Sequence, residues 1–138
     1  MDVFSYVQIV PIKEMIRVKR WTREQVADDR STLYVYGDND IGRGTRGQAV
    51  IRGLPNAFGV PTKRLPALHE AAFYSDANFQ EHCDAITKAV DRIITAMPHF
   101  ERIALPEDGL GTGLAQLPQR APRVSAFLEQ QLARLAEL

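Results

Sequence analysis

Residues 33–63 read LYVYGDNDIGRGTRGQAVIRGLPNAFGVPTK, and they show the pattern of a strand, a glycine-rich turn, a helical segment and a second strand. The run Leu33–Tyr36 is rich in β-forming residues, and the GDN turn after it predicts that the strand stops there. We expect a helix over residues 45–51, closed by Gly53. The next strand is predicted over Ala57–Val60, stopped by Pro61. Such a unit is typical of a parallel sheet.

The flanking segments continue this alternation. Residues 15–19 alternate like a half-buried strand, and Thr22 with Gln25 forms a capping-box pattern that predicts a helix over residues 22–29. Apolar residues spaced by three and four over residues 79–97 predict a long helix, capped by Ser75 or Asp76. A strand over residues 102–105 and a helix opened by Pro122 complete the pattern. We expect one α/β domain over residues 1–138, a three-layer sandwich with a mostly parallel or mixed sheet flanked by helices.

The composition restricts the class of protein. The chain is 45% apolar and 25% charged with a net charge of zero, which is ordinary for a soluble domain. Its single cysteine, Cys83, cannot form an internal disulfide, so a cytoplasmic setting is expected. No apolar run approaches the ~18 residues that cross a bilayer, and the first residues lack a basic leader region, so neither a membrane nor export is expected. The three histidines are isolated, and no metal or cofactor is expected.

The turn after the first of these strands combines glycines with cations. GRGTRG at residues 42–47 matches the dinucleotide fingerprint G-x-G-x-x-G, but no acid follows before Glu70 to bind a ribose, which argues against an NAD-dependent dehydrogenase. Residues 41–64 contain five cations and no acid: Arg43, Arg46, Arg52, Lys63 and Arg64. Backbone N–H groups and arginines facing an anion are one interpretation, and a solvated basic loop is the other.

A second glycine loop, GLGTG at residues 109–113, follows the strand at residues 102–105. Because the carboxyl ends of parallel strands meet at one edge of the sheet, we expect both glycine loops at that edge. Two such loops would suit a bipartite anion, for example a pyrophosphate. The structural alternative is a pair of tight turns that need positive φ angles.

Four side chains after the strands are candidates for chemistry. Lys63 is a candidate nucleophile if burial and the cations Arg43, Arg46 and Arg64 lower its pKa, and otherwise a phosphate-pairing or solvated lysine. Asp38, Asn39 and Asp40 are candidates for ribose recognition or acid–base chemistry, or form an Asx turn. Trp21 is either a core residue or a stacking surface for a base.

The order of these motifs resembles the macrodomain superfamily. The motifs are the strand followed by GDND and IGRGTRGQA, the segment V-P-T-K, the long helix, and GLGTGLAQL after the last strand. The resemblance covers residues 15–135 and is nearest to the lysine-dependent terminal ADP-ribose glycohydrolases and DNA ADP-ribosyl glycohydrolases, and to small phage and bacterial macrodomain-like proteins. It implies that residues 43–49 approach the distal ribose, that Lys63 is the nucleophile and that GTGL at residues 111–114 holds the diphosphate.

Two positions depart from that family. Ala115 stands where the family has its catalytic aspartate, and Arg20 and Trp21 stand where it has the aspartate that reads adenine. Asp108 is therefore our preferred acid–base residue, with Asp38 as a second candidate. The residues expected to hold the ligand are Asn39, Arg43, Gly44, Arg46, Gly47, Gln48, Thr62, Gly109, Gly111, Thr112 and Gly113.

The resemblance implies binding of ADP-ribose or a related nucleotide diphosphate derivative, with hydrolysis of ADP-ribose linkages through Lys63 as a catalytic extension. The first alternative is a non-catalytic module that binds or sequesters an NAD-derived or nucleotide signal in phage or bacterial defence. The second is an accessory domain that binds nucleic acid. The expected partner is thus a small nucleotide ligand, with an ADP-ribosylated macromolecule or a nucleic acid as further partners.

Overall fold

A computed structural model describes residues 14–137. Residues 1–13 and 138 lie outside this range. They belong to the expected single domain, and residues 1–13 include the segment that was considered as a leader. The strands are β1 Glu14–Val18, β2 Thr32–Asn39, β3 Ala57–Lys63 and β4 Arg102–Pro106. They form one sheet in the order β1-β4-β2-β3, and every neighbouring pair is parallel. The prediction of an α/β protein with a parallel sheet is confirmed.

Helices cover both faces of this sheet. They are α1 Arg23–Asp28, α2 Phe79–Ala96, α3 Leu117–Arg120 and α4 Pro122–Ala136, with 3-10 turns at Gly47–Ile51, Glu70–Ala72, Asp76–Asn78 and Met97–His99. On one face, α2 and α4 pack on the larger core, which contains Leu33, Val60 and Ile103. On the other face, α1 and the turn Gly47–Ile51 pack on a smaller core around Tyr34, Tyr36 and Ala104. The chain therefore forms three layers, with apolar side chains of the sheet buried on both faces.

The predicted helix starts are right for α1 and wrong for α2. The Thr22 hydroxyl accepts from Gln25 N at 3.1 Å and the Gln25 side chain accepts from Thr22 N at 2.9 Å, so the capping box is confirmed. Neither Ser75 nor Asp76 caps α2, which follows Asn78 directly. The Asp76 carboxylate instead accepts from the first backbone N–H groups of α4, at 3.1 Å each, because packing brings that helix start to it.

Strands β2 and β3 continue past their predicted ends. Strand β2 extends through the GDN turn to Asn39, and β3 extends through Pro61 to Lys63. Pro61 is tolerated because β3 is an edge strand, where a missing N–H need not break the ladder. The helix expected over residues 45–51 is a 3-10 turn that begins at Gly47. The extra strand residues bring Asp38, Asn39 and Lys63 to the carboxyl edge of the sheet.

Candidate functional site

The two glycine loops lie at the same edge of the sheet, as predicted. Gln48 joins them, because its side-chain amide donates to Gly109 O at 3.3 Å while its carbonyl oxygen accepts from Gly37 N at 2.8 Å. Gln48 was expected to contact a ligand; the structure shows that it ties the loop after β2 to the loop after β4. The residues that could meet a bipartite ligand are thus brought together, although they lie 61 positions apart in sequence.

A cleft of about 340 Å³ opens at this edge, beside the ends of β1 and β4. Its walls are formed by Val18, Lys19, Arg20, Trp21, Gly47, Gln48, Pro106 and Asp108. Three of these, Gly47, Gln48 and Asp108, were predicted site residues. Lys19 and Arg20 were missed, although two adjacent cations directly after a strand are a signal for them. The cleft presents cations, a carboxylate and an indole ring to one space, which suits a small anionic ligand with a flat group.

Trp21 serves both the core and the cleft. Its indole N–H donates to Gln48 O at 3.1 Å, and its ring meets that of Tyr34 edge to face at 5.5 Å between centroids. These two contacts hold the ring in one orientation while it forms part of the cleft wall. Sequence reasoning left core and ligand-stacking roles as alternatives, and this position is compatible with both.

Lys63 lies apart from the residues that line this cleft. Its ammonium group donates to Ala67 O at 2.6 Å and sits 4.7 Å from the centroid of the Phe73 ring. The Arg120 guanidinium lies 3.7 Å from the centroid of the same ring. Burial, and then the charge of Arg120, lower the pKa of Lys63. The expected lowering is thus present.

The cations expected to lower the pKa of Lys63 are not the ones that lower it. Arg64 is held by Glu81, with 3.2 Å between nitrogen and oxygen. Arg43 and Arg46 belong to the loop that follows β2, and Arg120 comes from α3, far along the chain. Sequence proximity therefore pointed to the wrong arginines, because the packing of α3 over Phe73 decides which cation is near Lys63.

The Asp38 carboxylate is held by an arginine of the protein, and its catalytic role stays a prediction. It forms a bidentate ion pair with Arg52, with N–O distances of 2.5 and 3.0 Å. Gly59 leaves the room for this pair, because a Cβ there would lie 2.6 Å from an Asp38 carboxylate oxygen. Arg52 also donates to Gly44 O at 2.8 Å and to Arg43 O at 3.2 Å. The pair therefore fixes the glycine loop to β2.

Asn39, Thr62 and Thr112 likewise hold loops. The Asn39 amide donates to Arg43 O at 2.7 Å, and its carbonyl oxygen accepts from Arg43 N at 3.4 Å, so the side chain bonds to the backbone four residues on rather than two, as the expected Asx turn would. Thr62 is buried and donates to Asp38 O at 3.3 Å. Thr112 donates to Asp108 O at 2.7 Å. Each of these side chains thus already has a partner within the protein, and its expected contact with a ligand stays a prediction.

The glycines of the two loops divide into those the fold requires and those that are open. Five have positive φ angles, as the tight-turn alternative predicts: Gly42, Gly44, Gly47, Gly109 and Gly111. A Cβ at Gly111 would lie 2.9 Å from the Leu117 Cβ, so that glycine is needed for packing. A Cβ at Gly47 or Gly113 would meet no atom within 4 Å. These two positions are where a ligand has room to approach the backbone.

Folding reduces the number of cations in residues 41–64 that are available to an anion. Arg52 pairs with Asp38, Arg64 pairs with Glu81, and Lys63 rests on Phe73. Within residues 14–137, Arg43 and Arg46 are exposed and form no ion pair. Lys19 and Arg20, which line the cleft, likewise form no ion pair within this range.

Fold and site together define an α/β protein whose carboxyl sheet edge bears two linked glycine loops and a partly cationic cleft. Residues 16–131 match a family of unknown function, DUF7831, and the chain belongs to this family. No curated protein and no solved structure matches the chain. In the part of the chain that the structure describes, no helix is long and apolar enough to span a membrane, and no group of three or more His, Cys, Asp or Glu residues could hold a metal ion.

Proposed function

We propose that this protein binds ADP-ribose or a related nucleotide diphosphate derivative at the carboxyl edge of its sheet, as its macrodomain-like sequence motifs imply. The observation that carries the proposal is the link from Gln48 to Gly109, which joins the two glycine loops beside the cleft. A diphosphate between these loops would meet backbone N–H groups on one side and Arg43 and Arg46 on the other.

The surroundings of the loops support binding at this edge. Within residues 14–137, the large apolar side chains that are most exposed are Ile41, Leu68 and Leu114. They lie in the loops after β2, β3 and β4, so all three belong to the carboxyl edge of the sheet. A ligand carried on a macromolecule would cover them.

Isothermal titration calorimetry tests the proposal, with ADP-ribose as ligand and AMP and ribose 5-phosphate as fragments. We expect ADP-ribose to bind more tightly than either fragment, because only the whole ligand reaches both loops. Gly113→Val should abolish binding, because the valine side chain would occupy the space proposed for the diphosphate. Thermal stability should be kept, because no protein atom lies within 4 Å of a Cβ at this position. Equal affinity of a folded Gly113→Val variant for ADP-ribose would overturn the diphosphate cradle.

The salt dependence of binding separates this function from nucleic-acid binding. Neutralisation of several phosphates releases counterions, so affinity for a single-stranded oligonucleotide would fall steeply between 50 and 200 mM salt, roughly a thousandfold for many contacts. A diphosphate enclosed by N–H groups should respond much less. Steep salt dependence together with no binding of ADP-ribose would favour the accessory nucleic-acid domain instead.

Hydrolysis through Lys63 is a second candidate function, taken from the resemblance of the V-P-T-K segment to the lysine-dependent glycohydrolases. Burial and Arg120 lower the pKa of this lysine, and its ammonium group, which donates to Ala67 O and lies apart from the cleft lining, would have to leave that contact to react. In its neutral form the amine can attack the aldehyde carbon of ring-opened ADP-ribose; a C–N bond forms, water leaves, and borohydride reduces the resulting imine to a stable amine. The expected product is an adduct on the wild type and none on Lys63→Ala. Lys88→Ala, an exposed lysine on α2, is the matched control for non-specific reaction.

Asp108→Ala completes this test, because Asp108 is the predicted acid–base residue that lines the cleft. A reduced rate of adduct formation in Asp108→Ala, with binding retained, would support catalysis. The absence of an adduct on the wild type, together with unchanged ADP-ribose affinity in Lys63→Ala, would leave the non-catalytic binding or sequestration module as the function.

A further inference from the structure

We propose that Lys19 and Arg20 make the cleft selective for a ligand with an additional phosphate on its nucleoside ribose, as in 2′-phosphorylated ADP-ribose. This inference rests on the proposed function, and it names the chemical class of nucleotide that the cleft prefers. It starts from the cations at the end of β1, which form no ion pair within residues 14–137.

The position of these cations is set by the pairing of β1 with β4. Val18 is in register with Pro106, and Glu107 N donates to Val18 O at 2.9 Å. The segments that follow β1 and β4 therefore leave the sheet side by side. Lys19 and Arg20 lie on the segment after β1, and Asp108 lies on the segment after β4. All three line the same cleft.

Lys19 and Arg20 have no internal partner among the described residues 14–137, which leaves them available to an anion there. Both are exposed, and neither forms a hydrogen bond or an ion pair through its side chain within residues 14–137. By contrast, Arg52, Arg64 and Arg102 are each held by a carboxylate of the protein. Cations that line a cleft and lack an internal partner are suited to a ligand's phosphate.

The remaining walls of the cleft suit the nucleoside itself. The Trp21 ring is held by Gln48 and Tyr34, so it offers a flat apolar surface without a loss of side-chain freedom on binding. The cleft at about 340 Å³ has room for part of a nucleotide but not for a macromolecular segment.

The sign of the charge decides which ribose substituent is preferred. In dinucleotide sites, a carboxylate binds the free hydroxyls of a ribose, whereas an arginine accommodates a phosphate at the 2′ position. The cleft has two cations against one carboxylate, so an added phosphomonoester with a charge near −2 is attracted more than it is repelled. Because the cations are exposed and screened by solvent, we expect a preference of about tenfold in affinity.

Calorimetry on the full chain with ADP-ribose and 2′-phospho-ADP-ribose tests this inference through the ratio of the two dissociation constants. With the ratio defined as the dissociation constant of ADP-ribose over that of 2′-phospho-ADP-ribose, we expect about ten for the wild type. We expect a ratio at or below one for both the double variant Lys19→Ala, Arg20→Ala and for Lys19→Glu, because each leaves the cleft with a net charge of −1. Lys88→Ala on α2 is the matched control and should keep the wild-type ratio. The wild-type ratio should also fall between 50 and 500 mM salt.

Each contrary outcome has a distinct meaning. If ADP-ribose binds the wild type but the added phosphate brings no gain, the cation role is wrong and the proposed function stands. A tenfold preference that persists in the double variant also overturns the role of Lys19 and Arg20. If neither ligand binds the wild type, both this inference and the proposed function are wrong.

Discussion

Replacement of Arg52 by alanine should destabilise the protein far more than a surface arginine would. Breaking a buried ion pair costs about 3–5 kcal/mol and an exposed one about 0–1 kcal/mol. The Asp38 and Arg52 side chains are only 14% and 19% exposed, so their pair is nearer the buried case. The variant also removes the donor of the Gly44 carbonyl and one of the two donors of the Arg43 carbonyl, which keeps its bond from Asn39.

We therefore expect Arg52→Ala to lower the free energy of unfolding by about 2–4 kcal/mol, which corresponds to about 7–14 °C in the melting temperature of a chain of this length. The assay is urea denaturation followed by circular dichroism, with thermal melting as a second measurement. Arg64→Ala is the matched control, because its pair with Glu81 is more exposed, at 30% and 61% of the two side chains.

A double-mutant cycle with Asp38→Asn isolates the pair itself. We expect the two substitutions to be clearly non-additive, with a coupling of at least about 1 kcal/mol. Amide hydrogen exchange should accelerate in residues 42–47 of Arg52→Ala, since Arg52 holds that loop. A loss of stability no larger than in Arg64→Ala, with additive single variants, would refute the conclusion that this pair anchors the glycine loop.

Three further predictions concern buried positions. Burial lowers the pKa of His82 below its unfolded value of about 6.5, so the unfolded chain takes up the proton at a higher pH than the folded protein does. The free energy of unfolding should therefore be highest above about pH 6.5 and fall below that pH. In urea titrations at several pH values, His82→Phe should flatten this dependence. Gly111→Ala should cost about 1–3 kcal/mol, because its Cβ would clash with Leu117, whereas Gly113→Ala should stay within about 0.5 kcal/mol in thermal melts. The Asn56 side-chain nitrogen contacts three backbone carbonyls at 2.9–3.1 Å, so Asn56→Ala should cost about 2–3 kcal/mol in the same assay, and a loss under 0.5 kcal/mol would contradict its role.

The sequence by itself determined the four strands, the helices α1, α2 and α4 and their arrangement in layers, but not the ends of β2 and β3 or the 3-10 turn where a helix was expected over residues 45–51. The apolar stripe of α2, the capping box of α1 and the alternation of strands with helical segments are local patterns, and each arises from residues a few positions apart. The position of the glycine loops at one sheet edge also followed from sequence, because parallel strands end on the same side. Local periodicity was therefore sufficient for the architecture.

Only the tertiary structure decided the partners of the charged and polar side chains. Asp38 meets Arg52 across 14 positions, Arg64 meets Glu81 across 17, and the cation beside Lys63 is Arg120 rather than its sequence neighbours. The cleft likewise depends on β1 lying next to β4, which brings Lys19 and Arg20 to Asp108. Charge attraction acts through space over a few ångströms and leaves no periodic trace along the chain. The sequence therefore predicted five cations near an anion site, whereas packing left only Arg43 and Arg46 of these five without an ion pair or aromatic partner within residues 14–137.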